Sequence, residues 1–389
     1  MPNLILDAST LPADTGALLA GRVWDPAAGG PTVVAVRGEE VIDLSGTFAF
    51  MRDLTETPEP GAALAAASGP VLCTTSELLA NSSEATRDSG RPWLLSPIDL
   101  QVVKAAGVTF PVSMIERVIE EAARGEAGAA AEARTRILSQ LDGELRELVP
   151  GSPAAMKLKE ALVREGIWSQ YLEVGIGPDA EIFSKAPVLA TVGSGADVGI
   201  RGDSEWNNPE PEVVLVVSSA GEIVGATLGN DVNLRDIEGR SALLLGQAKD
   251  NNASASVGPL IRLFGPGFGL PELRQESVTL RVDGPDGFVL EGVSHLAQIS
   301  RDPVDLAAQA VGHHQYPDGF VLYLGTMFAP TDDRGVAGRG FTHHVGDVVS
   351  ISSPRLGALV NRVGLSESLP PWTFGIRALI DNLARRGLL

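Results

Sequence analysis

The chain has 389 residues, 44% hydrophobic and 20% charged, which is long enough for one large or two ordinary domains with buried cores and excludes a disordered, fibrous or stapled mini-protein. Aspartate and glutamate total 49 against 30 lysines and arginines, a formal charge of −19 that repels phosphate backbones and anionic lipid, so neither nucleic acid nor membrane is an expected partner. Cys73 alone can build neither an intramolecular disulfide nor a cysteine zinc site and fits a reducing compartment. Met1 to Asp7 has no basic start and no apolar run of signal or membrane length, so a cytoplasmic protein is expected.

In chain order, strand-like runs such as Thr32 to Val36 and Val41 to Leu44 alternate with Gly-, Pro- and Ser-rich loops, predicting a small β-containing N-terminal domain over 1–93. The polar stretch Asn81 to Trp93 is the expected linker to a main domain over 94–389. From Ser113 the period changes, with Ile115, Val118, Ile119 and Ala122 at helical spacing until Gly125. Further helices are predicted over about 128–148, where Ile137, Leu141, Leu145 and Leu148 share a face, and over 153–165. Ser152-Pro153 caps and opens the latter and Gly166 stops it. Together these make a helical insertion of about 113–167. From about 170 to 365 strands and turns dominate, as in Glu212 to Val217, a turn at Ser218 to Gly221, then Glu222 to Leu228. An amphipathic helix with Ile376, Leu379, Ile380 and Leu383 on one face ends the chain.

The chemistry concentrates in Trp206-Asn207-Asn208-Pro209-Glu210-Pro211-Glu212. Strand side chains alternate, so Glu210 and Glu212 share a face if extended geometry continues through the prolines. The following hairpin returns to Gly229-Asn230-Asp231 and can bring a third carboxylate beside them. Clustered like charges require a proton or a cation, and an all-oxygen set favours magnesium, or manganese in its place, over zinc. A bare Glu-x-Glu is also compatible with a solvated strand entrance.

The succession Phe183-Ser184-Lys185-Ala186-Pro187, Pro209 to Glu212, Gly229-Asn230-Asp231-Val232-Asn233-Leu234-Arg235-Asp236, Lys249 with its small polar sequel, and Gly319 to Thr326 resembles the fumarylacetoacetate hydrolase superfamily, in order over about 95–365. The resemblance implies an α+β fold, with a mixed β-roll catalytic domain carrying the helical insertion beside the small N-terminal domain. It implies magnesium held by Glu210, Glu212 and Asp231, and a small-molecule 2-keto acid or β-diketone substrate that chelates it. Ser113, Arg235 and Thr326 are the implied substrate contacts, and a homodimer or homotetramer the implied assembly.

Hydrolytic members carry a water-activating histidine shortly after the glycine that opens the catalytic domain. Here Gly107 is followed by Val108 to Glu116 without one, and no histidine precedes His295. Gly107-Val108-Thr109-Phe110, the Glu116 helix, the insertion and Trp168 to Val174 instead resemble the sugar-acid branch, and Asp250 to Ser254 and Trp372 to Ile376 the 2-keto-3-deoxy-D-xylonate dehydratases within it. That resemblance implies a hydro-lyase of non-phosphorylative pentose oxidation that forms 2,5-dioxopentanoate. A base takes the C3 proton and an acid assists the C4 hydroxyl, with no external nucleophile. Glu116 and Lys185 are the expected pair, in an order left open, and Lys249 faces the substrate carboxylate or developing enolate charge. The alternatives are an acylpyruvate-type hydrolase or decarboxylase of the same superfamily and a non-catalytic sugar-acid binding module.

Other features have local explanations. Glu116 follows Ser113 at capping-box spacing. His313-His314 and His343-His344 are expected at the surface or in loops, since adjacent strand residues face opposite sides. Arg201-Gly202-Asp203 and the glycine clusters near 193 and 265 read as turns, without a nicotinamide site.

Overall fold

The computed structural model describes all residues except 1, 3, 125, 127, 131, 136–147, 167, 329, 331 and 336–339, and the side chain of 165. Its centre is set by the apolar run Val213 to Val217. On one face of the strand Pro211–Val217, Val214 and Val216 pack with Val257, Ile261 and Tyr323. On the other, Val213, Leu215 and Val217 pack with Leu228, Leu280 and Val349. A strand covered on both faces has no solvent side to keep polar, which is why it reads as an unbroken apolar run.

Around it a large mixed sheet runs in the spatial order Val71–Thr74, Glu40–Asp43, Gly30–Arg37, Leu19–Asp25, Ala255–Leu263, Ile223–Asp231, Pro211–Val217, Phe320–Tyr323, Val102–Gly107, Glu181–Ala186. Neighbours are antiparallel except Phe320–Tyr323 with Val102–Gly107. A second sheet, ordered Val289–His295, Ser277–Asp283, Val348–Ser353, Gly357–Leu365, Asp197–Ile200, packs on it through Leu280, Val282, Val349, Ile351 and Leu359. A short ribbon pairs Asn207–Asn208 with Asn233–Leu234.

The sheet is continuous across the boundary expected near residue 93, because Leu19–Asp25 pairs with Ala255–Leu263, Leu19 opposite Arg262. The stretch expected as a linker is fastened in place: the Asn81 amide donates to the carbonyls of Asp88, Arg91 and Pro92, and Ser82 is buried.

Helices Pro111–Ala122, Pro153–Glu165 and Gln170–Ile176 form a separate layer, packed through Met114, Val118, Ile119, Leu162, Tyr171 and Leu172. Ser152 and Gly166 cap the second as expected, Ser152 Oγ accepting from Ala155 N at 3.2 Å and Gly166 adopting φ 70°. The first starts two residues earlier than expected. Pro111 takes its first position and Phe110 the cap, so Ser113 sits inside the first turn, donates to Phe110 O and forms no capping box with Glu116. Of the helix expected over 128–148, residues 128–130 and 132–135 are helical, while Ile137, Leu141 and Leu145 lie outside the described residues. The C-terminal helix Ile376–Arg385 buries Leu379, Asn382 and Leu383 but leaves Ile376 and Ile380 exposed, because the Asn382 amide anchors it to Ala28 O and Gly29 O. Among the described residues no helix is long and apolar enough to cross a membrane.

Candidate active site

The hairpin between strands Pro211–Val217 and Ile223–Asp231 builds the centre. Its register sets Pro211 opposite Asn230 and Glu212 opposite Gly229, and Asp231 N donates to Glu210 O at 3.1 Å. Asn230 Oδ1 accepts from Glu210 N at 3.1 Å, which holds the backbone extended through Pro209 and Pro211. Glu210, Glu212 and Asp231 therefore converge, with carboxylate oxygens within 4.8 Å of one another, all three side chains buried.

Two lysines close on this triad. Lys249 Nζ pairs with Glu210 Oε2 and, at 3.1 Å, with Asp231 Oδ2. Lys185, wholly buried on strand Glu181–Ala186, lies 2.9 Å from Asp231 Oδ1 and donates to Lys249 O. Burial pushes the Lys249 ammonium down, but Asp231 and Glu210 outweigh it and hold the proton on firmly. Burial also pushes Asp231 up, yet the two lysines keep it below the usual carboxylate range. Glu212, with Gly325 N at 2.6 Å as its donor, is pushed well above that range by burial and by the neighbouring Asp231 and Glu210.

A second tier of charge lies alongside. Arg117, on helix Pro111–Ala122, pairs with Glu210, with Glu120 at 2.6 Å and with Glu238 at 3.0 Å. Arg235 joins Glu120 at 2.5 Å, donates to Pro330 O at 3.1 Å and lies 4.4 Å above the Trp206 ring. Glu181 sits on the cavity wall without a side-chain hydrogen bond or ion pair among the described residues. Its carboxyl is pushed up to about 7, chiefly by burial and then by Glu238. Gly107 makes this position possible, since a Cβ there would lie 2.2 Å from Glu181 Oε2.

Charge balance tests whether the site suits a cation. Glu120, Glu181, Glu210, Glu212, Asp231 and Glu238 oppose Arg117, Lys185, Arg235 and Lys249, a deficit of two positive charges. Protons on carboxyls such as Glu212 and Glu238, both pushed up by burial, meet part of it. A divalent cation would meet all of it, and three carboxylates are the donor set of a hard ion such as magnesium.

The structure brings Glu210, Glu212, Asp231, Lys185 and Lys249 into one cluster, and Ser113 and Thr326 line the same tight cavity. Arg235 stands behind the wall, and Glu116 is turned away from the cavity to an ion pair with Arg134. His343 lies in a loop, as one of the two expected settings, yet is buried there, its Nδ1 3.0 Å from Asp347 Oδ2, which also receives Arg334. Sequence reasoning missed Arg117, Glu120, Glu181 and Glu238. For Glu181 a signal existed: on a strand it shares a face with Phe183 and Lys185.

Lys249→Met is expected to destabilise the metal-free protein by about 3–5 kcal/mol, because it leaves buried Glu210 and Asp231 without their shared cation. Urea unfolding in the presence of a chelator measures this, and magnesium should restore part of the loss. An unchanged unfolding midpoint would show that Lys249 does not balance the triad.

No protein-family model matches the chain. A Haloferax volcanii protein named as a probable 2-keto-3-deoxyxylonate dehydratase is 34% identical over 193 residues, 50% of this chain and 63% of that relative. The 2-dehydro-3-deoxy-D-arabinonate dehydratase of Saccharolobus solfataricus is 30% identical over 186 residues, 47% of this chain and 58% of the relative. The matches thus span less than two thirds of the length of these curated relatives. Among solved structures, 2-keto-3-deoxy-D-arabinonate dehydratase complexed with magnesium and 2,5-dioxopentanoate superposes with TM-score 0.60 at 21% identity, covering 90% of this chain and 99% of that one. Fumarylacetoacetate hydrolase from Exiguobacterium antarcticum gives 0.54 at 16% identity, covering 90% and 100%. The mixed α/β architecture with large mixed sheets is therefore that of fumarylacetoacetate hydrolase-type structures, and in sequence the chain is similar to the 2-keto-3-deoxy-pentonate dehydratases.

Proposed function

We propose that the chain is a magnesium-dependent hydro-lyase that dehydrates 2-keto-3-deoxy-D-xylonate to 2,5-dioxopentanoate. The observation that carries this reading is the buried Glu210–Glu212–Asp231 triad, with Lys249 and Glu181 on one cavity. The relatives' names support it, and stereochemistry reconciles them. Once C2 is a ketone and C3 a methylene, the D-xylo and D-arabino series keep the same single stereocentre at C4, so one D-pentonate answers to both.

Glu210, Glu212 and Asp231 would hold the cation, magnesium or manganese, which when bound supplies Lewis-acid polarisation of the 2-keto acid. Glu181, whose carboxyl is pushed up to about 7 and has no hydrogen-bond or ion-pair partner among the described residues, takes the C3 proton. It replaces Glu116 in that role, since Glu116 is committed to Arg134. Lys249 stays an ammonium and faces the developing negative charge. Lys185 is a positioning residue that fixes Asp231 and the Lys249 carbonyl. The C4 hydroxyl leaves as water, C5 gives up a proton while C3 takes one from solvent, and the resulting C5 enol ketonises by protonation at C4, so no carbon–carbon bond breaks.

With 2-keto-3-deoxy-D-pentonate and magnesium, semialdehyde should appear in an assay coupled to a semialdehyde dehydrogenase, and a chelator should stop it. Semialdehyde formation at the same rate after exhaustive chelation would contradict the metal reading. Turnover of acylpyruvates in place of the sugar acid would favour the hydrolase reading.

A further inference from the structure

A second cavity lies between the large sheet, the segment 189–197 and the chain after Leu369, and it shares no lining residue with the catalytic one. It encloses about 900 Å³ of space including its open mouth. Trp24 and Trp93 stack in its wall with centroids 5.7 Å apart, Phe374 meets Trp24 edge-on at 5.4 Å, and Trp372 stands at the mouth, 46% exposed.

Two polar groups in this wall are incompletely satisfied. The Arg87 guanidinium lies 4.9 Å over the Trp93 ring and donates through Nη2 to Ser82 O at 2.9 Å, but its buried Nε has no hydrogen-bond partner among the described residues. Asp197 gives its backbone N–H to Glu84 Oε2 at 3.1 Å, while its carboxylate makes no hydrogen bond or ion pair among the described residues. An orphaned buried donor such as Arg87 Nε is uncommon in a finished interior, and the half-buried Asp197 carboxylate is open to a ligand in the cavity. Leu189 and Ala253, also in the wall, hold left-handed φ angles of 68° and 59°, a conformation that non-glycine residues keep only where the surroundings enforce it.

These groups define the ligand. An anion would face both Asp197 and Glu84, and a cation would face Arg87. A hydroxyl donates and accepts, so neighbouring hydroxyls can give to a carboxylate and receive from a guanidinium in charge-assisted bonds. An apolar ring face suits the aromatic wall. We propose that this cavity binds a neutral cyclic sugar, its ring against the tryptophans and its vicinal hydroxyls between Asp197 and Arg87. One wall leads directly to the catalytic centre, since Ala253 precedes Ser254, whose hydroxyl donates to Lys249 O at 2.8 Å. Binding does not depend on the dehydratase reading and is measured separately from it.

Intrinsic tryptophan fluorescence and calorimetry on the full chain, titrated with D-xylose, D-glucose and D-xylono-1,4-lactone and, for comparison, choline, acetate and adenosine, provide the test. At least one neutral sugar should give a saturable change in the millimolar range or tighter. Asp197→Asn and Arg87→Met, checked for folding by circular dichroism, should each weaken it by roughly tenfold or more. Should either variant fail to fold, Trp372→Ala at the exposed mouth serves instead and should weaken binding several-fold. Absence of sugar binding, binding undiminished in the folded variants, or saturation by choline, acetate or adenosine in place of sugars would overturn the proposal. So would sedimentation showing that Trp372→Ala dissociates an oligomer, which would make the cavity a contact between copies.

Discussion

Glu212→Gln is expected to lose magnesium binding and roughly a thousandfold or more of turnover, since the variant forfeits several kcal/mol of charge stabilisation by the metal. Its fold should survive. The Gly325 N–H that Glu212 accepts at 2.6 Å can be accepted equally by the amide oxygen, and the side chain keeps nearly the same volume. In the metal-free protein the variant should even gain stability at higher pH. The folded Glu212 carboxyl is held above its ordinary value by burial and by Asp231 and Glu210, so the wild type is favoured while that group is protonated. It loses stability as pH rises from the ordinary carboxylate value through the raised one. Glutamine has no proton to lose and escapes this penalty. Magnesium calorimetry with thermal unfolding across pH measures both effects, and wild-type turnover in the variant would remove Glu212 from the metal site.

Glu181→Gln should lower kcat by roughly 10²–10⁴-fold while leaving magnesium binding in place, the range for loss of a positioned proton-transfer group. The wild-type rate should fall as pH drops through about 7, because the carboxyl raised to that value becomes protonated and can no longer accept the C3 proton. The variant should lack that limb. A pH profile of unchanged shape in Glu181→Gln would assign the proton transfer elsewhere.

The convergence of the three carboxylates was legible because its geometry is local. Strand alternation puts Glu210 and Glu212 on one face, and a hairpin of fixed register returns Asp231 beside them. The caps at Ser152 and Gly166 were legible for the same reason. Arg117 and Glu238 were not, because their ion pair joins helix Pro111–Ala122 to residues 235–238 and no short-range period links them. Glu116 was expected in the site through the family resemblance, but its position on helix Pro111–Ala122 turns it to Arg134 while Arg117 beside it faces Glu210. Likewise the pairing of Leu19 with Arg262, which merges the N-terminal strands into the main sheet, depends on register between distant segments. At the C-terminal helix periodicity identified the apolar face, yet the Asn382 anchor sets which part of it meets the protein.

Dehydration is most directly tested by the fate of the five carbons. With magnesium and 2-keto-3-deoxy-D-pentonate in deuterated water, nuclear magnetic resonance should show 2,5-dioxopentanoate as the product with deuterium at C3, since the C3 proton leaves and the position is reprotonated before release. Pyruvate with glycolaldehyde, or any other pair of shorter fragments, would mean that a carbon–carbon bond breaks and would contradict the account.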